Sequence, residues 1–201
     1  MIRLVPFGVR SVLDVGCSTG ILGEAVKRKT GARVVGVELD KVMAGIAARR
    51  IDQVIVADLE QMPLALDGQP QYDCLIFADI LEHLRDPWSV LRNLTQLLLP
   101  KGIVIASIPN IQHYSTFVDL LLHNRWPYRT RGIHDRTHLR FFAWQNIQEL
   151  FAQAELVIEQ VERNYRLVEQ PRRVNQVAHW VALPGVRPWL TYQYLIVAKK
   201  R

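Results

Sequence analysis

The sequence has little cysteine, no long apolar run and few signs of secretion. Only two of its 201 residues are cysteines, Cys17 and Cys74, which excludes a disulfide framework and favours a reducing cytoplasm. The longest apolar stretches, such as Ile103–Ile108, are far shorter than the roughly 18 residues of a membrane span. Arg3 and Arg10 come before any long apolar run, so we expect no signal peptide.

The composition that remains is that of one ordinary globular domain. Apolar residues make up 49% of the chain and charged residues 22%, which excludes a disordered or collagen-like protein. The net charge of +6 is unevenly spread, because residues 1–110 contain 12 basic and 12 acidic residues, whereas residues 111–201 contain 13 and 7. A basic second half can attract nucleic acid, an anionic membrane surface or an acidic substrate.

Short apolar strands alternate with helices through the first half of the chain. The predicted strands are Ser11–Val15, Arg33–Glu38, Gln53–Ala57, Tyr72–Phe77 and Ile103–Ser107. The predicted helices run from Ile21 to Gly31, over Lys41–Arg49, and from Pro87 to about Leu98, where Pro100-Lys101-Gly102 ends the last one. Strands that are apolar on both faces and separated by helices predict an α/β, doubly wound, mostly parallel sheet.

The second half of the chain is less regular. The pattern predicts helices over Tyr114–His123 and Trp144–Ala154, and strands over Leu156–Val161 and Tyr192–Ala198. We expect residues 1–201 to form a single domain, in which residues 109–142 make a lid or substrate region. Residues 165–190 are expected to be an insertion before the last strand.

The strongest chemical signal is the segment Asp14–Gly20 (D-V-G-C-S-T-G) at the first strand-to-helix turn. Small residues there let a ligand approach the backbone, and the N–H groups of the following helix favour an anion. A dinucleotide site would need glycines where Ser18 and Ile21 stand. A hydrolase nucleophile elbow, G-x-S-x-G, matches literally but normally follows several strands.

The third interpretation of this segment is an S-adenosylmethionine (SAM) site. The loop resembles the first motif of class I SAM-dependent methyltransferases, D/E-x-G-x-G-x-G, with Ser18 in place of the middle glycine. A carboxylate at the end of the second strand, Glu38, can accept both ribose hydroxyls. The resemblance implies an adenine-contacting turn at Asp58. The predicted cofactor-binding residues are Asp14, Gly16, Cys17, Ser18, Gly20, Glu38, Leu39, Asp58, Leu59, Ala78 and Asp79.

The resemblance extends to a small-molecule branch that includes quinone-biosynthesis O-methyltransferases. It is carried by Ala78–Leu84 (A-D-I-L-E-H-L) after the fourth strand, by Ser107–Asn110, and by Thr137–Phe142. It covers roughly residues 10–160 and the last strand. The resemblance implies a seven-stranded Rossmann-like methyltransferase fold with the last strand antiparallel. It also implies SAM as cofactor, with S-adenosylhomocysteine as its product, and a small-molecule acceptor methylated at oxygen.

The histidines after the fourth strand and in the basic loop are the candidate catalytic residues. His83 is the first candidate for a general base and His138 the second, while Asn110 and His113 are expected to bind substrate. Asp79 is expected either to contact the amino-acid end of the cofactor or to cap the following turn. No histidine and cysteine share a metal-ligand spacing, so the sequence predicts no metal.

Two other functions stay open. The segment Arg125–Arg140 interleaves arginine with aromatic residues, as single-strand binders do, although the fourth strand ends in A-D-I-L instead of the N/D-P-P-Y of base-amino methylation. The same loop is compatible with an anionic small molecule. A SAM-binding module without catalysis is the other alternative, because the chain starts almost at the strand that family members precede with helices. The sequence does not indicate an oligomeric state.

Overall fold

The computed structural model describes residues 1–61, 71–169 and 172–200. Its strands are β1 (Ser11–Val15), β2 (Arg33–Glu38), β3 (Gln53–Val56), β4 (Tyr72–Ala78), β5 (Leu98–Pro109), β6 (Leu156–Tyr165) and β7 (Thr191–Lys200). Its α-helices are α1 (Ile21–Thr30), α2 (Lys41–Ala47), α3 (Pro87–Thr95), α4 (Tyr114–Phe117), α5 (Trp144–Gln153), α6 (Ala178–Val181) and α7 (Arg187–Leu190). Short 3-10 turns cover Ile2–Leu4, Leu81–His83 and Arg173–Val177.

The strands form one seven-stranded sheet in the order β3-β2-β1-β4-β5-β7-β6. Strands β1 to β5 are parallel to one another, and β7 runs antiparallel to both β5 and β6. The predicted doubly wound fold with an antiparallel last strand is therefore confirmed. Because the carboxyl ends of β1 to β5 share one edge, the motifs that follow these strands lie along the same edge.

Local sequence signals set the ends of the first three helices. Gly20 and Gly31 flank α1 with φ angles of 75° and 72°, a left-handed conformation that glycine adopts without strain. The side chain of Asp40 accepts hydrogen bonds from two backbone N–H groups at the start of α2. Asp86 caps α3 in the same way, with Pro87 at the first helical position.

The region between α3 and β5 differs from the prediction. Helix α3 ends at Thr95, and β5 already begins at Leu98 and continues through Pro100-Lys101-Gly102. Leu98 is buried and pairs with Tyr72 of β4, so pairing with the sheet overrides the helix-like apolar run in the sequence. Lys101, at a φ of 69°, provides the irregular backbone that lets the strand pass this point.

Two apolar layers cover the two faces of the sheet. One contains Phe77, Phe151 and Tyr194 and packs α3 and α5 against the sheet; the other contains Val26 and Ile76 and packs α1. Within the described ranges, no helix is long and apolar enough to cross a membrane.

The segment from the end of β5 to α5 forms the covering over the carboxyl edge of the sheet, and we call residues 110–142 the lid. Helix α4 continues into a wider π-helical turn at Val118–Leu122, within the single helix that was predicted there. Residues 166–190, which we call the β6–β7 connection, contain the 3-10 turn, α6 and α7. Both segments lie beside the ends of β5 and β7, since the backbone N–H of Asn110 donates to the carbonyl of Tyr192 and its side-chain amide donates to the carbonyls of Pro188 and Thr191.

Candidate active site

The glycine loop between β1 and α1 is held in a strained but well-supported conformation. Gly16, Ser18 and Gly20 all have positive φ angles. A Cβ at Gly16 would lie 2.8 Å from the side chain of Ile80, and one at Gly20 would lie 3.0 Å from Ala47. The loop therefore accepts no side chain at either glycine. Its backbone bends tightly before α1, whose first N–H groups lack partners within the helix and suit an anionic group.

Glu38 fastens this loop to the end of β2. One oxygen of its carboxylate accepts the N–H of Ser18 at 2.8 Å, and the other accepts the N–H of Asp40 at 2.9 Å. Each carboxylate oxygen has a second lone pair, which is available to a ligand hydroxyl. Leu39, the next residue, is exposed.

Asp58 follows β3 on the neighbouring strand. Its carboxylate accepts from the backbone N–H of Glu60 and from the side chain of Gln61, and Leu59 beside it is buried. The backbone N–H of Ala57 donates to the carbonyl of Glu38, so the two acidic strand ends are adjacent. The structure thus places these two predicted cofactor residues next to each other at the carboxyl edge of the sheet.

Asp14 differs from these two acids because it is buried under the loop. Only 1% of its surface is exposed, and its Oδ2 atom has no hydrogen-bond partner among the described residues. Burial raises the pKa of Asp14 to about 7; the Glu38 charge adds to the shift and the N–H of Gly23 opposes it. Cys17 is also buried, with its sulfur packed against Gly36, so only its backbone is available to a ligand.

These features fit SAM. The cofactor presents a carboxylate, ribose hydroxyls and an adenine, and the loop offers backbone N–H groups, Glu38 and Asp58 in that order along neighbouring strand ends. Asp14, predicted to bind the cofactor, is covered by the loop and only 1% exposed. Its carboxylate reaches from β1 to Gly23 of α1 and supports the loop from below.

A pocket of about 920 Å³ lies at the same edge of the sheet, between β4, the lid and the β6–β7 connection. Asp79, directly after β4, lines it in a left-handed conformation with a φ of 52°. Its Oδ1 atom accepts from Ser107 at 2.9 Å and from Gln193 at 2.6 Å, so its side chain does not cap the following turn. Burial raises the pKa of Asp79 above its usual value.

His83 and His138 line this pocket as a pair. Their rings are 4.7 Å apart and nearly perpendicular. Nδ1–H of His83 donates to the carbonyl of Thr137 at 3.3 Å, and Nδ1–H of His138 donates to the carbonyl of Ile133 at 3.0 Å. In the neutral rings both Nε2 atoms are then proton acceptors. Burial, followed by the nearby His83, lowers the pKa of His138.

Glu82 completes this cluster, although its sequence pattern predicted no role for it. It is 1% exposed, and neither of its carboxylate oxygens has a hydrogen-bond partner among the described residues. Burial, reinforced by the Asp79 charge, raises the pKa of Glu82 to about 8. Its Oε1 atom is 4.0 Å from Nε2 of His138. The backbone carbonyl of Glu82 accepts from Leu139, which explains how the two motifs after β4 and before α5 meet.

Glu82, His83 and His138 have the donor atoms of a divalent-cation site. One potential ligand atom from each lies within 4.8 Å of the others. Two imidazole nitrogens and a carboxylate are a common donor set for such ions. The prediction of no metal considered only the spacing of histidine and cysteine along the chain. It did not consider a glutamate and a neighbouring histidine that meet a second histidine from a distant segment.

Asn110 and His113 do not line the pocket. Asn110 is fully buried and donates to the carbonyls of Pro188 and Thr191 at 2.8 and 2.7 Å. His113 is also fully buried, between the hydroxyl of Ser115 and the carbonyl of Arg166. Both side chains therefore hold the lid against the β6–β7 connection, and neither contacts the pocket in which a substrate would bind.

A second polar cluster joins the same two segments. Arg129 bonds the carboxylates of Asp119 and Glu169, and His134 bonds Glu169 at 3.1 Å and the hydroxyl of Thr116 at 3.0 Å. The His134 and Ser115 hydrogen bonds and the Arg129 charge lower the pKa of Glu169 to about 2 against the opposing effect of burial. Because this cluster pairs its charges internally, we regard it as a support for the lid.

Comparison with known proteins agrees with this geometry. A family model described as a methyltransferase domain matches residues 3–161, and the chain belongs to this family. The ubiquinone biosynthesis O-methyltransferase of Aeromonas salmonicida is 38% identical over 108 residues, which are 52% of this chain and 44% of that protein. The chain therefore spans less than half the length of the curated relatives that it matches.

Solved structures described as SAM-dependent methyltransferases share the fold. The protein from Archaeoglobus fulgidus has a TM-score of 0.64 and 16% identity, with 96% of this chain and 87% of that chain covered. The protein from Mesorhizobium loti has a TM-score of 0.66 and 19% identity, with 99% and 95% covered. The predicted family and fold class agree with these comparisons, and both of these solved proteins are described as SAM-dependent.

Proposed function

We propose that this protein transfers a methyl group from SAM to an oxygen of a small-molecule acceptor. The observation that carries the proposal is the pocket of about 920 Å³, which lies after β4 at the same edge of the sheet as the glycine loop after β1, the neighbouring strand. Its volume lies in the range of small-molecule sites. The resemblance to relatives named O-methyltransferases supports oxygen as the acceptor atom.

The residues of the glycine loop and of the next two strand ends are the proposed cofactor site. The N–H groups at the start of α1 would hold the cofactor carboxylate, Glu38 its ribose and Asp58 with Leu59 its adenine. When bound, SAM supplies an electrophilic methyl group on a positively charged sulfur. The protein's main contribution is then to hold the acceptor oxygen in line with that methyl group, which supplies roughly 7–11 kcal/mol in favourable cases.

His83 is the proposed general base. Its Nδ1–H is engaged by the carbonyl of Thr137, and Asp135 fixes the Thr137 hydroxyl at 2.7 Å. The imidazole is therefore oriented with Nε2 available to accept the proton of an acceptor hydroxyl. His138, which packs edge-on against His83, is the proposed second member of this pair.

The charge of the pocket favours an acceptor that carries an anionic group. Arg131 lines the pocket, is exposed and has no carboxylate partner within the described ranges, in contrast to Arg129. Arg166 also lines it and stacks 3.9 Å from the ring centre of Tyr192. We propose that Arg131 binds a carboxylate or phosphate of the acceptor, since a guanidinium pairs well with either.

A specific observation favours a second way of activating the acceptor. Both carboxylate oxygens of Glu82 lack a partner in the part of the chain that the structure describes, and they lie beside His83 and His138. This arrangement suits a divalent cation, which would lower the pKa of a bound hydroxyl. Removal of divalent cations by a chelator distinguishes activation by a general base from activation by a metal ion. Turnover that survives EDTA supports His83 as a base, and turnover that is lost and then restored by Mg²⁺ or Mn²⁺ assigns the three side chains to a cation.

The function is tested with SAM labelled in its methyl group. Label should move into small molecules of a metabolite extract, His83→Ala should abolish most of this transfer, and His123→Ala, an exposed histidine of the lid, should not. Binding of SAM without transfer to any acceptor would favour a module that lacks catalysis. Label in RNA or DNA would favour the nucleic-acid alternative. The cytoplasmic location expected from the two cysteines stays a prediction.

A further inference from the structure

An unusual surface lies beside the pocket, and the proposed methyl transfer uses none of it except Arg131 at its border. Large apolar side chains are exposed on the lid and on the β6–β7 connection, where a folded domain would normally bury them. Leu121 is 77% exposed, Leu122 76%, Trp180 81% and Leu183 65%. We call the exposed side chains of residues 120–131 and 172–190 the apolar–cationic face.

The two segments of this face are adjacent in the fold. Phe117, at the end of α4, packs on Trp189 of α7 with ring centres 4.9 Å apart. The salt bridge between Arg129 and Glu169, together with the bonds of Asn110 to the β6–β7 connection, holds the two segments side by side. Tyr128, itself 77% exposed, belongs both to this face and to the lining of the pocket.

The charge of the face has one sign. Residues 120–131 and 172–190 contain six arginines and no aspartate or glutamate. Two of the six, Arg125 and Arg129, form ion pairs with the largely buried carboxylates of Asp119 and Glu169, so the excess positive charge of the face comes from the remaining arginines. Surfaces that lie at a membrane interface typically expose leucine, valine and tryptophan interspersed with arginine. Their apolar groups lie at the acyl boundary and their cations among the headgroups.

We propose that the apolar–cationic face docks this protein onto an anionic membrane surface. The arginines complement anionic lipid headgroups, and Trp180, Leu183 and the leucines of the lid enter the interfacial region. Bases of a nucleic acid would stack on the aromatic rings but would leave Leu121, Leu122 and Leu183 in water, so the leucines favour lipid. Since Tyr128 and Arg131 border the pocket, docking brings the pocket entrance close to the lipid surface. This inference does not depend on methyl transfer.

The test is sedimentation of the protein with lipid vesicles. We expect binding to phosphatidylcholine vesicles that contain phosphatidylglycerol, a blue shift of tryptophan emission, and little binding to pure phosphatidylcholine. Added salt should weaken the binding. Arg173→Gln and Arg187→Gln should each lower the affinity about fivefold, and the double variant Trp180→Ser, Leu183→Ser should lower it about tenfold or more.

Matched controls lie at the other end of the sheet and near the amino terminus. Phe7→Ser removes an equally exposed apolar side chain, 81% exposed, and Arg49→Gln removes an exposed charge in the turn after α2, so neither should change vesicle binding. Circular dichroism checks that all variants fold. Equal binding by the Trp180 and Leu183 variant would overturn the proposal. Absence of vesicle binding would also overturn the proposal. If the face variants, but not the controls, then abolished a dimer or binding to single-stranded RNA, the face would be assigned to that partner instead.

Discussion

Asp14 should make the protein less stable as the pH rises, and replacing it by asparagine should remove that effect. The carboxyl group is fully buried beneath the glycine loop, and its pKa is raised from 3.8 to about 7. The unfolded chain releases this proton near its ordinary pKa, whereas the folded protein keeps it until about pH 7. Between these two values the unfolded state binds fewer protons, so the free energy of unfolding falls as the pH rises.

The magnitude follows from the size of the shift. A shift of about three units, at 1.36 kcal/mol for each unit, makes the ionised form of Asp14 cost about 4 kcal/mol above pH 7. Between about pH 5 and pH 8, wild type loses about 3 kcal/mol of this amount. Asp14→Asn carries no charge at either pH. Its stability relative to wild type should therefore rise by about 3 kcal/mol over the same interval.

Urea unfolding at the two pH values, followed by circular dichroism, measures this difference. The comparison of variant with wild type cancels other titrating groups, including Glu82, and any pH-independent cost of the buried amide. Asp52→Asn is the control, because hydrogen bonds from Lys27 and the backbone of Val34 lower the pKa of Asp52 despite its partial burial. Asp52 is then ionised in both the folded and the unfolded state at pH 5 and above, so the stability of Asp52→Asn relative to wild type should not change between the two pH values. A relative stability of Asp14→Asn that does not change with pH would refute the reasoning.

Three further predictions concern the cofactor, the base and the lid. Glu38→Ala should weaken SAM binding by roughly 1.5–3 kcal/mol in calorimetry, the contribution of a charge-assisted hydrogen bond, and unchanged affinity would remove Glu38 from the site. His83→Ala should lower turnover much more than SAM affinity, and intact turnover would exclude His83 as the base. Glu169→Gln should destabilise the protein at neutral pH. Because the pKa of Glu169 is held at about 2, wild type should lose this advantage as the pH falls from about 4.5 toward 2, and a difference that persists at low pH would contradict the assignment.

The sheet could be predicted from the sequence because its signals are local. Each parallel strand is apolar on both faces, and Gly20 and Gly31 mark the ends of α1 through the φ angles that they allow. The boundary between α3 and β5 could not be predicted, because the apolar side chain of Leu98 could be buried in the core from a helix as well as from a strand. Only its pairing with Tyr72, a contact with a distant residue, decides between them.

The candidate site divides in the same way. Glu38 and Asp58 could be assigned because a residue at the end of a parallel strand has a predictable place, whichever loops follow. The partners of Glu82 could not, since His138 is 56 positions away along the chain and reaches it through an irregular lid. The sequence nevertheless contained a signal. The segments Leu81–Leu84 and Thr137–Phe142 both resemble motifs of the small-molecule methyltransferase branch, and two such motifs in one chain suggest a shared site. Motifs of one family that lie in separate segments are therefore candidates for direct contact, and here the carbonyl of Glu82 bonds the backbone of the second motif.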